Sequence, residues 1–119
     1  EKDFVIIHAP LFDEAAREPD IKQKVLLLES FDHHVAGAAK ECFESEKDVR
    51  VMIVPLPAPH PSKFSMRESV PFMLAGKNVM PDEFERFNES TAQLSTLRIR
   101  ESWKLIEHLI SGRELAPVS

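Results

Sequence analysis

Four side chains have the types and loop positions to do chemistry: His8, Asp13, Arg17 and His60. His8 and Asp13 share the stretch His8-Ala9-Pro10-Leu11-Phe12-Asp13-Glu14, and His60 falls in the proline-rich stretch from Pro55 to Ser69. Two imidazoles and a carboxylate make a donor set that suits zinc. A guanidinium such as that of Arg17 holds phosphate oxygens or pairs with a carboxylate. Each residue also has a plainer reading. Asp13 can cap the turn that follows it, Arg17 can be a solvated arginine at a helix start, and His8 can be a hydrogen-bonded core histidine. Spacing across two loops is no motif. The remaining candidates carry less. Ser62 and Ser65 lack an evident base and orienter. Cys42 lies on an apolar helical stripe and reads as packing. His33 and His34 are adjacent, so on a helix they point about 100° apart and do not readily share one ion; they read as surface or partner-facing.

The elements that must position these residues follow from the pattern of apolar residues. Phe4-Val5-Ile6-Ile7-His8 is a nearly continuous apolar run stopped by Pro10, which predicts a strand buried on both faces. Ile21 to about Glu44 predicts a long helix, with Ile21, Val25, Leu28, Val35, Ala39 and Cys42 in one stripe, Asp20 as N-cap and Ser45 as its end. Val49 to Val54 predicts a second strand, so that strand, helix and strand form a right-handed βαβ unit. Val70 to Ala75, closed by Gly76, predicts a third strand, and Pro71 places its start at an edge. Pro81 to Asn88 reads as irregular. Glu101 to Ser111 predicts a last helix with Trp103, Ile106 and Ile110 on one side and Gly112 as its stop. In an open α/β sheet, ligands bind beyond the carboxyl ends of the parallel strands. Those ends are the two loops that hold His8, Asp13 and His60.

The expected fold is therefore α/β, a mixed, partly parallel sheet flanked by helices. At 119 residues the chain is expected to be a single domain, 1–119, with a genuine core. Three strands and two helices are few for a complete doubly wound domain, which predicts part of something larger or a fold that leans on a partner. No apolar run approaches the 18 or so residues of a membrane span, and the opening Glu1-Lys2-Asp3-Phe4 lacks the layout of a signal peptide. The net charge of −5, with Lys and Arg spread out, argues against a nucleic-acid partner. A single cysteine excludes an internal disulfide and fits a reducing cytoplasm. Pro55, Pro57, Pro59 and Pro61 alternate, giving either a stiff connection or a polyproline recognition element.

In order along the chain, several segments look like one family. Ala9-Pro10 is followed by two extra residues and Asp13-Glu14-Ala15-Ala16-Arg17-Glu18-Pro19-Asp20, then Lys24, Leu28-Glu29 and Asp32. Further on come Pro55-Leu56-Pro57-Ala58-Pro59, Ser65-Met66-Arg67-Glu68-Ser69-Val70-Pro71-Phe72, Phe87-Asn88-Glu89-Ser90 and Leu97-Arg98-Ile99-Arg100. The set resembles the C-terminal, metal-binding portion of archaeal-type cofactor-independent phosphoglycerate mutases, of the alkaline phosphatase superfamily. That family shows A-P-D-E-A-G-H-x-G-D, K-x-x-x-I-E-x-I-D, D-H-P-T-P, H-T-x-D-P-V-P-F, F-D-E-x and G-R-I-R at these places. The resemblance implies a partial alkaline phosphatase-like fold. It also implies two ions of manganese, magnesium or zinc that clamp a phosphate and activate a serine.

Carried over residue by residue, only Asp13 keeps its ligand identity. Arg17, Pro55, Leu56 and Ser65 stand where the family has His, Asp, His and His. The serine nucleophile of the family lies far N-terminal to this stretch. The expected function is thus a phosphoglycerate mutase-like isomerase relative, inactive alone as a pseudoenzyme, serving as a binding, regulatory or assembly module without a cofactor. The competing expectation is a metal-dependent phosphoryl-transfer or phosphoester-hydrolysing enzyme, its site rebuilt from His8, Asp13 and His60 or completed by another chain. A third is a pure interaction domain with an apolar sheet edge near Val70 to Leu74. A homo-oligomer, a partner protein or a phosphorylated small molecule held by Arg17 are the partners these readings admit.

Overall fold

A computed structural model of the chain describes residues 3–10, 20–46, 48–55 and 69–113. The long helix forms where the apolar pattern places it, from Ile21 to Ser45, but in three pieces: α1 (Ile21–Phe31), a π-helical turn (Asp32–Ala36) and α2 (Gly37–Ser45). Asp20 caps its start, in extended geometry, with its carboxylate accepting from the Lys22 N–H at 2.9 Å. The half-covered side shares only Val35 and Ala39 with the expected stripe. Leu27, Phe31, Val35, Ala39 and Phe43 are half-buried, whereas Ile21, Val25 and Leu28 are exposed. Spacings of four drift by about 40° per step on a helix of 3.6 residues per turn. The wider π turn takes up part of that drift in mid-run. Cys42 falls off the covered side and is exposed, which corrects the reading of it as packing.

Two further expectations change. Phe4–His8 forms no strand; Phe4, Val5, Ile6 and Ile7 are all exposed, and His8 is too. The reason is physical: an extended apolar run becomes a strand only when a neighbour pairs with its backbone, and this run has no such partner among the described residues. The two strands that do form are β1 (Arg50–Ile53) and β2 (Met73–Gly76), and they pair antiparallel with Arg50 opposite Gly76 and Ile53 opposite Met73. The parallel part of the expected sheet is thus not seen among the described residues, and the βαβ unit reduces to helix followed by ribbon. Pro71 stands just before β2, where its missing N–H costs no ladder bond.

The ribbon ends in a tight turn. Lys77 donates to the Val49 carbonyl at 3.0 Å and Val79 to the Gly76 carbonyl at 3.2 Å, with Asn78 at φ 61°, a left-handed conformation asparagine tolerates. Across this turn the Lys77 ammonium donates to an Asp48 carboxylate oxygen at 2.5 Å. That hydrogen bond, reinforced by the charge of Lys77, holds Asp48 below the usual carboxylate range. A carboxylate whose folded-state pKa is depressed stabilises the fold above its unfolded pKa, and the contribution is lost as pH falls through the folded value. The pair is exposed, so the effect on stability is small and shrinks with salt. A carboxyl-carbon NMR titration is expected to give Asp48 a midpoint below that of the same residue in Lys77→Met. Coincident midpoints would contradict the pairing.

Two short helices follow. The irregular reading of 81–88 holds, and then α3 (Glu89–Leu94) begins, an element the apolar pattern does not announce. It starts on a capping box: the Asn88 side chain accepts from the Thr91 N–H at 2.9 Å while Thr91 Oγ1 accepts from the Asn88 N–H at 3.3 Å. Its far end is held by Arg98, whose guanidinium donates to the carbonyls of Ala92, Gln93 and Ser95. The last helix, α4 (Lys104–Ser111), starts three residues later than expected and stops at Gly112, which adopts φ 64° as a left-handed cap.

The chain divides into two compact units. Among the described residues the first holds 3–10 and 20–41, and the second holds 42–46, 48–55 and 69–113. In the second, α4 packs on β1. None of the described residues is fully buried, so the genuine core expected from chain length is not seen in them.

Candidate functional site

Asp13, Arg17 and His60 lie outside the described residues, as do Leu56, Ser62 and Ser65. Of the expected metal trio the structure therefore describes only His8, which is exposed at the end of an extended segment. That placement removes the reading of His8 as a core histidine. Pro55, which stands where the resemblance expects a ligand aspartate, sits just beyond β1 and is exposed. A prolyl ring has no donor atom for a cation, so this side chain cannot take the place of a ligand carboxylate. Among the described residues, no group of three or more His, Cys, Asp and Glu is arranged to hold a metal ion.

The π turn does bring titratable groups together. The rings of His33 and His34 meet edge to face, with centroids 4.8 Å apart and planes at 87°. His34 Nδ1 lies 2.9 Å from the Ser30 carbonyl oxygen, so it carries the proton and donates there, and only Nε2 remains to accept. Both residues are exposed, in keeping with their reading as surface groups. An open depression at the end of α4 is lined by Glu107, His108, Ile110, Ser111 and Arg113. Within it His108 Nδ1 lies 3.3 Å from the Arg113 carbonyl oxygen and the Ser111 hydroxyl accepts from the Arg113 N–H at 3.2 Å. These contacts tie off a helix end and set up no nucleophile with a base.

Two arginines in or near the resembling segments are engaged in structure. Arg98, of Leu97-Arg98-Ile99-Arg100, closes α3 as described above. Arg50 donates from Nε to the Leu109 carbonyl and from Nη2 to the Ile110 carbonyl, each at 2.6 Å. Both guanidiniums neutralise the negative end of a helix. Arg100, by contrast, stands exposed. The described part of the chain therefore shows scaffold rather than a catalytic constellation, and Pro55 is its most informative position.

No family model matches the chain, and no solved structure matches it at a significant level. Curated proteins do. The 2,3-bisphosphoglycerate-independent phosphoglycerate mutase of Methanothrix thermoacetophila is 33% identical over 115 residues, covering 92% of this chain and 29% of that protein. The 2,3-bisphosphoglycerate-independent phosphoglycerate mutase 2 of Methanothermobacter thermautotrophicus is 29% identical over 111 residues, 90% of this chain and 27% of that one. The corresponding mutase of Methanosarcina barkeri is 29% identical over 115 residues, 94% of this chain and 29% of that one. The chain thus spans less than a third of the length of the curated relatives it matches.

Proposed function

We propose that this chain, a partial and divergent relative of the archaeal 2,3-bisphosphoglycerate-independent phosphoglycerate mutases, is a mutase-like domain without a metal centre of its own, inactive alone and working as a binding, regulatory or assembly module. It corresponds to the C-terminal portion of that family and to part of an alkaline phosphatase-like fold. The observation that carries the reading is Pro55, a residue whose side chain has no donor atom, at a family ligand position. Leu56 beside it is equally without donors, and Arg17 keeps its proton at any working pH and so repels a cation. The donor set does not fit a two-ion site. Arg17 is better suited to an anion, and a phosphorylated small molecule is the ligand class it favours. The lone, exposed Cys42 fits a reducing compartment, which is the basis for a cytoplasmic placement.

Calorimetric titration of the metal-stripped chain with Mn²⁺ and Zn²⁺ tests this directly. The expected result is no saturable binding up to millimolar metal, and no interconversion of 2- and 3-phosphoglycerate with either ion present. Saturable binding near one equivalent, abolished by Asp13→Ala, would overturn the reading. It would favour an enzyme with a site rebuilt from His8, Asp13 and His60.

A further inference from the structure

The long helix carries two apolar stripes, and the π turn decides which of them runs on past it. Leu27 and Phe31 are half-buried on one side, while Ile21, Val25 and Leu28 are 73%, 46% and 56% exposed on the other. Ala39, beyond the turn, can continue either stripe. A straight α-helix at about 100° per residue groups it with Ile21, Val25 and Leu28 within about 60°. A π turn spends one residue more on its circuit, which sets everything after it back by about 100°. Ala39 then falls between Leu27 and Phe31, and there it is half-buried. The apolar pattern therefore supports two registers, and the structure shows the π one.

We propose that His34 is the latch that holds the π register. Its ring Nδ1 donates to the Ser30 carbonyl at 2.9 Å. In an α-helix that carbonyl is the partner of the backbone N–H of His34 itself, four positions on. A carbonyl drawn to a side chain is drawn off the ladder, and a side chain inserted there bends or widens the helix. The effect is seen just beyond. The Gly37 N–H reaches back five residues to the Asp32 carbonyl, instead of four to that of His33. The Ser30 hydroxyl stands 3.4 Å from the same nitrogen, so the carbonyl is the working acceptor. Without the latch the run relaxes into continuous α-helix. Ala39 then turns by about 100° and joins the face of Ile21, Val25 and Leu28. The device is a register switch, in which one imidazole decides which apolar face of the helix is continuous.

Scalar couplings across hydrogen bonds, measured by NMR on the ¹⁵N,¹³C-labelled chain, read the register directly. The Gly37 amide nitrogen is expected to couple to the Asp32 carbonyl carbon in the wild type. In His34→Ala that coupling should be lost and replaced by one to the His33 carbonyl carbon. The neutral His34 ring of the wild type should carry its proton on Nδ1. His33→Ala is the control. It raises helix propensity by the same His-to-Ala step but leaves the latch in place, so Gly37 should stay coupled to Asp32. Persistence of the Gly37–Asp32 coupling in His34→Ala would overturn the proposal. Its loss in both variants would do the same, by making propensity the cause. A wild-type ring protonated on Nε2, or a wild-type Gly37 already coupled to His33, would also count against it. His34 is exposed, so its removal leaves the chain folded, and circular dichroism should show the wild-type helical signal. A fall in that signal would contradict relaxation to α-helix.

Discussion

Gly76→Ala is expected to abolish the β-ribbon and to lower the unfolding free energy by about 3 kcal/mol or more. Gly76 ends β2 at φ 111°, a conformation that residues with a side chain rarely adopt. An added Cβ would lie 2.2 Å from the Val49 carbonyl oxygen and 2.9 Å from the Arg50 Cα. Both obstacles are backbone, so no side chain can swing aside to relieve the clash. Moving the Val49 carbonyl would break its hydrogen bond with the Lys77 N–H and disturb the approach of the Lys77 ammonium to Asp48. Because no described residue is fully buried, the ribbon has little packing to absorb the shift. Urea unfolding followed by circular dichroism gives the loss, and amide exchange at Val51 and Ile53 shows where it occurs. Wild-type protection at those amides in the variant would show that the strand end relaxes without cost, contrary to this account.

Much of the secondary structure was legible in the sequence. The helix from Ile21, its Asp20 cap, the strand at Val49 to Val54 and the Gly112 stop all follow from local signals: periodicity, a capping carboxylate, β-branched residues and a permissive glycine. What failed was non-local. Phe4–Ile7 has the composition of a strand, but a strand exists only with a neighbour to receive its N–H and C=O groups, and composition names no neighbour. The parallel pairing expected for β1 depended on that same missing partner. The covered stripe of the long helix was misplaced because a π turn shifts the phase, and nothing in Asp32-His33-His34-Val35-Ala36 announces it. Helix α3 was missed although its signal was present: Asn88 with Thr91 three residues on is a capping pair, overshadowed by the irregular stretch before it.

The site followed a different logic. Its most telling feature, the absence of ligand side chains at Arg17, Pro55, Leu56 and Ser65, needed only residue identities and a resemblance. Periodicity carried no information about it. Geometry adds that Pro55 is exposed at the end of β1 and that His8 is exposed too, so the described ends of both loops are open to solvent. It also shows that Arg50 and Arg98, cations in or near the resembling segments, are spent on helix ends rather than held ready for phosphate. Charge that a sequence makes available for binding can be consumed by architecture, and only hydrogen-bond partners reveal which has happened.

Arg50 shows that architecture at the end of α4. Its two bonds to the Leu109 and Ile110 carbonyls pin the last turn of α4 to β1. Gly112 completes the arrangement. A Cβ there would lie 2.3 Å from Arg50 Nη1, so the left-handed cap also makes room for the guanidinium. Arg50→Ala removes two charge-assisted bonds and leaves the carbonyls at the negative end of the helix without their cation. The expected cost is about 2 kcal/mol, one bond being partly shielded and the other exposed. Arg50→Lys should recover less than half of it, because an ammonium restores the charge but not the two-pronged reach. Amide exchange in the last turn of α4 should rise in both variants. If Arg50→Lys matched the wild type in both stability and amide exchange, charge alone would hold the helix end, and the fork geometry would be incidental.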